Sequence, residues 1–145
     1  MILPNLKKDE GFTFIETLIV LAIMMVLSAG IGVPAMQYIE RAKKIAAKTQ
    51  IETFRTALQS YYLDCSSYPT KSQGLGAVFE KPLISPVPEK WCGPYIDRKL
   101  PEDPWGNPYA YCVPGEEGLP YSIISYGADK REGGTGNDAD IFSWK

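Results

Sequence analysis

A long, largely apolar run without charges near the start of the chain constrains its fold more than any other feature. No charged residue occurs from Thr17 to Ile39. At a helical rise of about 1.5 Å per residue, this run would span about 35 Å, whereas the hydrocarbon core of a bilayer is about 30 Å thick. The run therefore predicts a helix that is long enough to cross a membrane and that packs on lipid or on other subunits.

One acidic residue, Glu16, lies at the entrance of this run. A carboxylate inside lipid costs about 2.5–3.5 kcal/mol on insertion scales, and less near a helix end. A plain membrane anchor could hold Glu16 near the interface. A secretory signal could use Lys7 and Lys8 as its basic region and 28–30 as its cleavage site, but the acid argues against it. The third interpretation is a signal that is cut ahead of the helix.

The segment GFTFIE, from Gly11 to Glu16, resembles the processing site of the type IV pilin and pseudopilin superfamily. In that superfamily a prepilin peptidase cuts after the glycine on the cytoplasmic side, and the new N-terminus is methylated. The resemblance implies that residues 1–11 are a leader peptide, that cleavage falls between Gly11 and Phe12, and that Phe12 is N-methylated.

Cleavage at Phe12 would give Glu16 a physical role. The new N-terminus is an ammonium group at the start of a lipid-embedded helix, where it also needs a counter-ion. In a stack of such helices, Glu16 of one subunit can meet the amino group of its neighbour, and wrong axial registers leave both charges unpaired. We therefore predict that Glu16 selects the register of assembly. Pro34 is expected to weaken the helix. The resemblance further implies that a proline near this place lets the helix stretch or bend in the assembly.

The composition predicts one small domain beyond the apolar helix. The chain has 145 residues, a formal net charge of −2 and no basic block, so we expect no nucleic-acid partner. It contains no histidine and thus lacks the commonest general base and the usual transition-metal ligand. We expect a protein that is not an enzyme.

Three cysteines, Cys65, Cys92 and Cys112, lie far apart in the sequence and show no CxxC spacing, which argues against a zinc site. Outside the cytoplasm, one disulfide and one free thiol are expected. The sequence spacing does not show which two cysteines form the disulfide. Because Cys92 and Cys112 both fall in the presumed sheet region, we predict that these two are joined.

Periodicity predicts a long helix, then a loop region, then a small sheet. The helix is expected from Phe12 to about Leu63, interrupted only near Pro34. Residues 70–104 are rich in proline and glycine and predict a loop with one short helix near 75–80. The apolar stripe of the long helix consists of Ala47, Ile51, Phe54, Leu58 and Tyr61. The predicted antiparallel strands are 108–113, 121–126 and 141–144.

The glycine-rich segment SYGADKREGGTGNDADIFSW, residues 125–144, carries Asp129, Asp138 and Asp140. Hard oxygen ligands on a flexible loop suit Ca²⁺, which accepts about 6–8 oxygens in adaptable geometry. The spacing is not that of an EF-hand. A solvated acidic turn remains the alternative. The upstream DPWGNPY segment, from Asp103 to Tyr109, predicts tight turns in which Trp105 plugs the base of the loop.

The blocks YPTKSQGL, WCGPYI, LPEDPWGNPYAY and GADKREGGTGNDADIFSW together resemble the major pseudopilin family of the type II secretion system. The resemblance implies a type IV pilin-like α+β fold, in which a long N-terminal helix packs on a small antiparallel sheet with a calcium-binding C-terminal loop. Its implied ligands are the side chains of Asp129 and Asp140, with Asp138, the Tyr126 carbonyl and the Thr135 oxygen as further candidates. This chain has Lys130 where the family usually has glycine.

The resemblance also implies a function and a location. Residues 12–36 would cross the bacterial inner membrane once and form the core of a fibre, and 37–145 would form a periplasmic domain. The chain would be a structural subunit of a helical fibre that helps drive folded proteins across the outer membrane. The implied partners are further copies, minor pseudopilins, an inner-membrane assembly platform and a prepilin peptidase.

Two alternatives remain at this point. A major type IV pilin for adhesion or motility usually has a C-terminal disulfide, and no cysteine follows Cys112. A membrane-anchored, calcium-dependent enzyme or binding module is the other, although a hydrolase would lack both histidine and a GxSxG motif.

Overall fold

The computed structural model describes residues 11–29 and 32–144. The predicted leader therefore lies outside the described residues except for Gly11. Contacts divide the chain into two units, Met1–Ile39 and Glu40–Lys145, which are described separately below.

In the first unit, helix α1 runs from Phe14 to Ala29. Thr13 caps it, because its Oγ1 accepts a hydrogen bond of 3.3 Å from the backbone N–H of Glu16. A Thr followed three residues later by Glu is the sequence signature of a capping box, and an acid in the first turn also favours the helix dipole. Within the described residues, no helix has both the length and the apolar character needed to cross a membrane.

Helix α2 runs from Gly32 to Cys65. Pro34 falls in its first turn, where backbone N–H groups have no intrahelical acceptor, so proline removes no helical hydrogen bond there. The helix ends close to the predicted position, and Ser66 follows in the left-handed region with φ of 58°. The predicted stripe is confirmed, since all five of its residues are buried.

A long loop follows α2 and contains one 3₁₀ helix, Leu75–Val78, within the predicted range. Its buried side chains join the stripe of α2 in one core. Trp91 closes over this turn by donating its indole N–H to the carbonyl of Ala77 at 3.0 Å. The expected aromatic packing of the loop is therefore present.

The sheet has three antiparallel strands, β1 Ala110–Cys112, β2 Ser122–Ser125 and β3 Ile141–Phe142. They pair in the order β1-β2-β3, and they are shorter than predicted. All four residues of β2 are buried, so the central strand is covered on both faces. Tyr111 and Ile123 are partners in the β1–β2 register, and both belong to the core shared with α2. The α+β class is confirmed.

In this structure Cys65, Cys92 and Cys112 are all free thiols, so the predicted Cys92–Cys112 bond is absent from it. The two residues lie in different surroundings. Cys112 is on β1, near Tyr126, whose pKa is raised by burial and then by the Cys112 thiol. Cys92 instead lies in the loop, where its backbone N–H bonds to the Tyr95 hydroxyl.

Candidate metal-binding loop

The segment between β2 and β3 begins on a buried network centred on Asp103. The Asp103 carboxylate accepts hydrogen bonds from the Ser125 hydroxyl at 2.6 Å, the Trp105 N–H at 3.0 Å and the Asn107 N–H at 2.8 Å. Asn107 in turn donates its amide N–H to the carbonyl of Gly127 at 2.8 Å. The predicted DPWGN turns thus fix the residue at which the loop starts.

Trp105 is half-buried at this turn, and its indole N–H donates to Glu40 Oε2 of α2 at 3.3 Å. A second residue of α2, Lys44, donates from Nζ to the carbonyl of Gly136 in the loop. Because Glu40 and Lys44 are four residues apart, they lie on one face of the helix. That face of α2 therefore holds both the DPWGN turn and the far side of the loop.

Glycines allow the loop to fold closely on itself. A Cβ added to Gly134 would lie 2.4 Å from the carbonyl oxygen of Asp138, far inside contact distance. A Cβ added to Gly127 would meet the carbonyl oxygens of Asn137 and Asp138 at 3.1 Å. The close packing of these glycines brings the backbone carbonyl oxygens of Asn137 and Asp138 into the loop, and carbonyl oxygens are ligands that Ca²⁺ accepts.

Asp140 has the strongest features of a metal ligand. Its Oδ2 accepts a hydrogen bond of 2.8 Å from the N–H of Gly133. Its Oδ1 is buried, and no hydrogen-bond donor within the described residues contacts it. A buried carboxylate oxygen without a partner is costly, and a bound cation would remove that cost. Asp140 therefore fits the Ca²⁺ site implied by the sequence.

Of the other predicted ligands, Tyr126 lines a cavity together with Asp140, and the rest lie on the exposed part of the loop. Asp129 and Asp138 are exposed, and Asp129 Oδ1 accepts a hydrogen bond from the N–H of Arg131 at 3.1 Å. Thr135 is also exposed, and Tyr126 is half-buried. Across residues 11–29 and 32–144, no three acidic or cysteine side chains are arranged to hold a metal.

Glutamates that the sequence did not single out lie near Asp140. A cavity of about 210 Å³ is lined by Asp140, Tyr126 and Glu132 from the loop side and by Glu116 and Glu117 from the β1–β2 turn. Burial, followed by the charges of neighbours including Glu132 and Asp140, raises the pKa of Tyr126. The negative field here comes from two loops, so no single stretch of sequence reveals it.

The predicted processing site is open. Phe12 is 81 % exposed, and a Cβ added to Gly11 would meet nothing within 4 Å. Both residues precede the first turn of α1, in non-helical backbone. A peptide bond in this setting is accessible to a peptidase.

Comparison with known proteins first identifies the class of protein to which this chain belongs. Residues 6–32 match the prokaryotic N-terminal methylation motif, which covers the predicted cleavage site and all of α1. Residues 34–144 match the model of type II secretion system protein G. The chain therefore belongs to the type II secretion system protein G family, whose members are structural subunits rather than enzymes.

Relatives cover nearly the whole chain. It is 43% identical over 138 residues to the type II secretion system core protein G of Pseudomonas aeruginosa, covering 95% of this chain and 96% of that one. It is 40% identical over 143 residues to the core protein G of Vibrio cholerae, with 98% and 96% covered. The Escherichia coli K12 protein of the same name is 36% identical over 137 residues, with 94% and 92% covered.

A solved structure shares the fold. The crystal structure of the major pseudopilin from the type 2 secretion system of enterohaemorrhagic Escherichia coli gives a TM-score of 0.64 at 34% sequence identity. The match covers 75% of this chain and 92% of that chain. The predicted pseudopilin type of α+β fold is confirmed.

Proposed function

We propose that this chain is the structural subunit of the type II secretion pseudopilus, a periplasmic helical fibre that helps drive folded proteins across the outer membrane. The observation that carries the proposal is the pairing of two matches on one chain. Residues 6–32 carry the methylation motif and residues 34–144 the protein G domain. The major type IV pilin and the calcium-dependent enzyme or binding module have no comparable support.

The subunit is stored in the bacterial inner membrane before assembly. Residues 12–36 cross the membrane once, and residues 37–145 form the periplasmic domain. The support is the uncharged run from Thr17 to Ile39, about 35 Å long as a helix. A prepilin peptidase removes 1–11 and Phe12 is methylated, which agrees with the open backbone at Gly11 and Phe12.

Assembly joins copies of the chain with minor pseudopilins on an inner-membrane platform. Glu16 of one copy pairs with the amino group of Phe12 in the next, and Pro34 lets the helix adjust within the fibre. The electrostatic argument supports this step, because each charge alone is costly in an apolar core.

A calcium ion braces the loop between β2 and β3. Asp140 and Asp129 would hold it with their side chains, and Asp138, the Tyr126 carbonyl and the Thr135 oxygen are the further candidates. When bound, Ca²⁺ supplies a positive charge that cross-links oxygens from separate parts of the loop. The support is the buried Oδ1 of Asp140, which lacks a donor among the described residues. Asp129 would have to turn inward from its exposed position.

The test follows the full chain through processing and assembly. Expressed with a prepilin peptidase, the mature protein is expected to lose residues 1–11 and to gain the mass of one methyl group. Glu16→Gln keeps a residue compatible with the capping box but removes the charge. We expect it to lower fibre yield by more than about tenfold, because an unpaired charge in lipid costs about 2.5–3.5 kcal/mol.

Thr13→Ala is the matched control, because it removes the cap of α1 and leaves the Glu16 charge in place. It should assemble much better than Glu16→Gln. A mature protein that still began at Met1 would refute the fibre role. Wild-type fibre yield from Glu16→Gln would refute the charge-pairing step alone.

A further inference from the structure

Two cysteines from distant parts of the sequence lie at the C-terminal end of α2. Cys65 is the last residue of the helix and packs against the core. Cys92 lies in the loop segment between Trp91 and Tyr95, and both aromatic residues pack on the same core. The rings of Tyr95 and Tyr61 meet edge to face with centroids 5.7 Å apart, which holds this segment on the last turns of α2.

The Tyr95 hydroxyl joins the two cysteine positions. It donates a hydrogen bond of 2.8 Å to Oδ2 of Asp64, the residue that precedes Cys65. It also accepts a hydrogen bond of 3.0 Å from the backbone N–H of Cys92. One oxygen atom therefore bonds to the backbone of Cys92 and to the side chain next to Cys65.

The two thiols also share a neighbour, Lys90. Cys65 and Lys90 line one cavity of about 230 Å³, together with Asp64, Ser66 and Glu89. Cys92 Sγ lies 3.5 Å from the carbonyl oxygen of Lys90. Burial raises the pKa of Cys65, and both the Tyr95 hydroxyl and the Cys92 thiol act on its titration. Cys92 is exposed, so an oxidant can reach it.

We propose that Cys65 and Cys92 form a disulfide in the mature protein and that Cys112 stays a free thiol. The Cys92 thiolate attacks an external disulfide, either a small-molecule disulfide or a disulfide oxidoreductase, and displaces one thiol. The Cys65 thiolate then attacks the Cys92 sulfur and displaces the second thiol. Two protons and two electrons pass to the external disulfide. The proposal rests on the proposed function only for its oxidising compartment.

The bond would close the chain segment 65–92, which contains the 3₁₀ helix and the proline-rich loop. Leu83, Ile84 and Val87 are exposed on this loop. A cross-link limits the unfolded chain more than the folded one, so it stabilises the fold. The disulfide would therefore keep an exposed apolar loop fixed to the end of α2.

The test uses the full chain, purified in detergent and fully reduced, then treated with oxidised glutathione. Reactive thiols are counted in denaturant, and linked peptides are mapped by mass spectrometry without reduction. The wild-type protein should fall from three thiols to one, and Cys112→Ser from two to none. Oxidation should raise the Tm by about 10 °C in both proteins.

Cys65→Ser and Cys92→Ser are the matched controls, and in each the Tm should not rise on oxidation. A wild-type peptide that linked Cys92 to Cys112 would overturn the proposal, as would glutathione adducts without an internal link. None of these measurements needs leader cleavage or fibre growth, so a failure here is distinct from a failure of the fibre role.

Discussion

Lys130 holds a backbone conformation that suits glycine better than lysine. Its φ is 63°, in the left-handed region, where a Cβ crowds the following carbonyl oxygen. The residue lies directly after Asp129, so the strain falls on the candidate calcium loop.

Lys130→Gly is expected to stabilise the protein by about 0.5–1 kcal/mol, because relief of the strain exceeds the added flexibility of glycine in the unfolded chain. Urea unfolding of the calcium-free protein measures this change. Lys130→Ala removes the same charge but keeps the Cβ, so it should bring no comparable gain. Equal gains from both variants would assign the effect to the charge.

Residue types were predicted more reliably than residue environments. The sequence identified Asp129, Asp138 and Asp140 as candidate ligands, because acids on a glycine-rich loop are visible in a single segment. It could not identify Asp140 as the one with a buried oxygen. That difference depends on Gly133 and on the turn that carries Glu116, which the fold brings beside it.

At the scale of elements, the loop between β2 and β3 is held by side chains from outside it. Asn107 bonds to Gly127, and Lys44 of α2 bonds to Gly136. Between these points the loop is exposed and rich in glycine. Hydrogen bonds from Asn107 and Lys44 thus fix the beginning and the far side of the loop, and a calcium ion would fix the part between them.

Removal of calcium with a chelator is expected to lower the Tm by about 5 °C or more, because binding to the folded state adds stability by mass action. Asp140→Asn should remove most of this calcium-dependent shift. Asp97→Asn, an exposed acid in another loop, should retain the shift in full. A wild-type melting curve that does not respond to calcium would refute the metal site.

Elements defined by local periodicity were predicted well. The stripe from Ala47 to Tyr61 follows helical spacing, and all its members are buried. The strands were predicted too long because their alternation continues past the residues that find a ladder partner. The neighbours of Cys92 were missed because the Tyr95 hydroxyl links it to the end of α2 over a long sequence separation.

At the scale of the whole molecule, the two units differ in how they bury apolar residues. In Glu40–Lys145 the helix stripe, the 3₁₀ helix and the sheet share one core. In the first unit, the large apolar side chains of α1 are exposed, with Leu18 at 45 % and Val26 at 75 %. Exposed apolar surface on this scale requires a lipid or protein partner.

The core of the second unit should make stability sensitive to alkali. Burial raises the pKa of Tyr61 to about 12 and raises those of Tyr95, Tyr109 and Tyr111 as well. An unfolded tyrosine ionises near pH 10, so above that pH the unfolded state loses protons that the folded state keeps. The stability that these protonated tyrosines contribute is therefore fully present below pH 10 and is lost as the pH rises towards 12.

Urea unfolding between pH 9 and 11.5 is expected to show this decline, with about 1.4 kcal/mol per pH unit from each such tyrosine at the steepest point. Tyr109→Phe should make the decline less steep by about that amount. A stability that is constant up to pH 11.5 would contradict the burial of these hydroxyls.

The charges at the start of α1 bear on when a subunit becomes ready to polymerise. Before cleavage, residue 12 is joined to Gly11 by a neutral peptide bond, and the Glu16 carboxylate faces the partial positive charge of its own helix start. Cleavage between Gly11 and Phe12 would add a full positive charge two residues ahead of Phe14. The peptidase would then act as an electrostatic trigger, since an uncut chain offers the next subunit nothing for its carboxylate to attract.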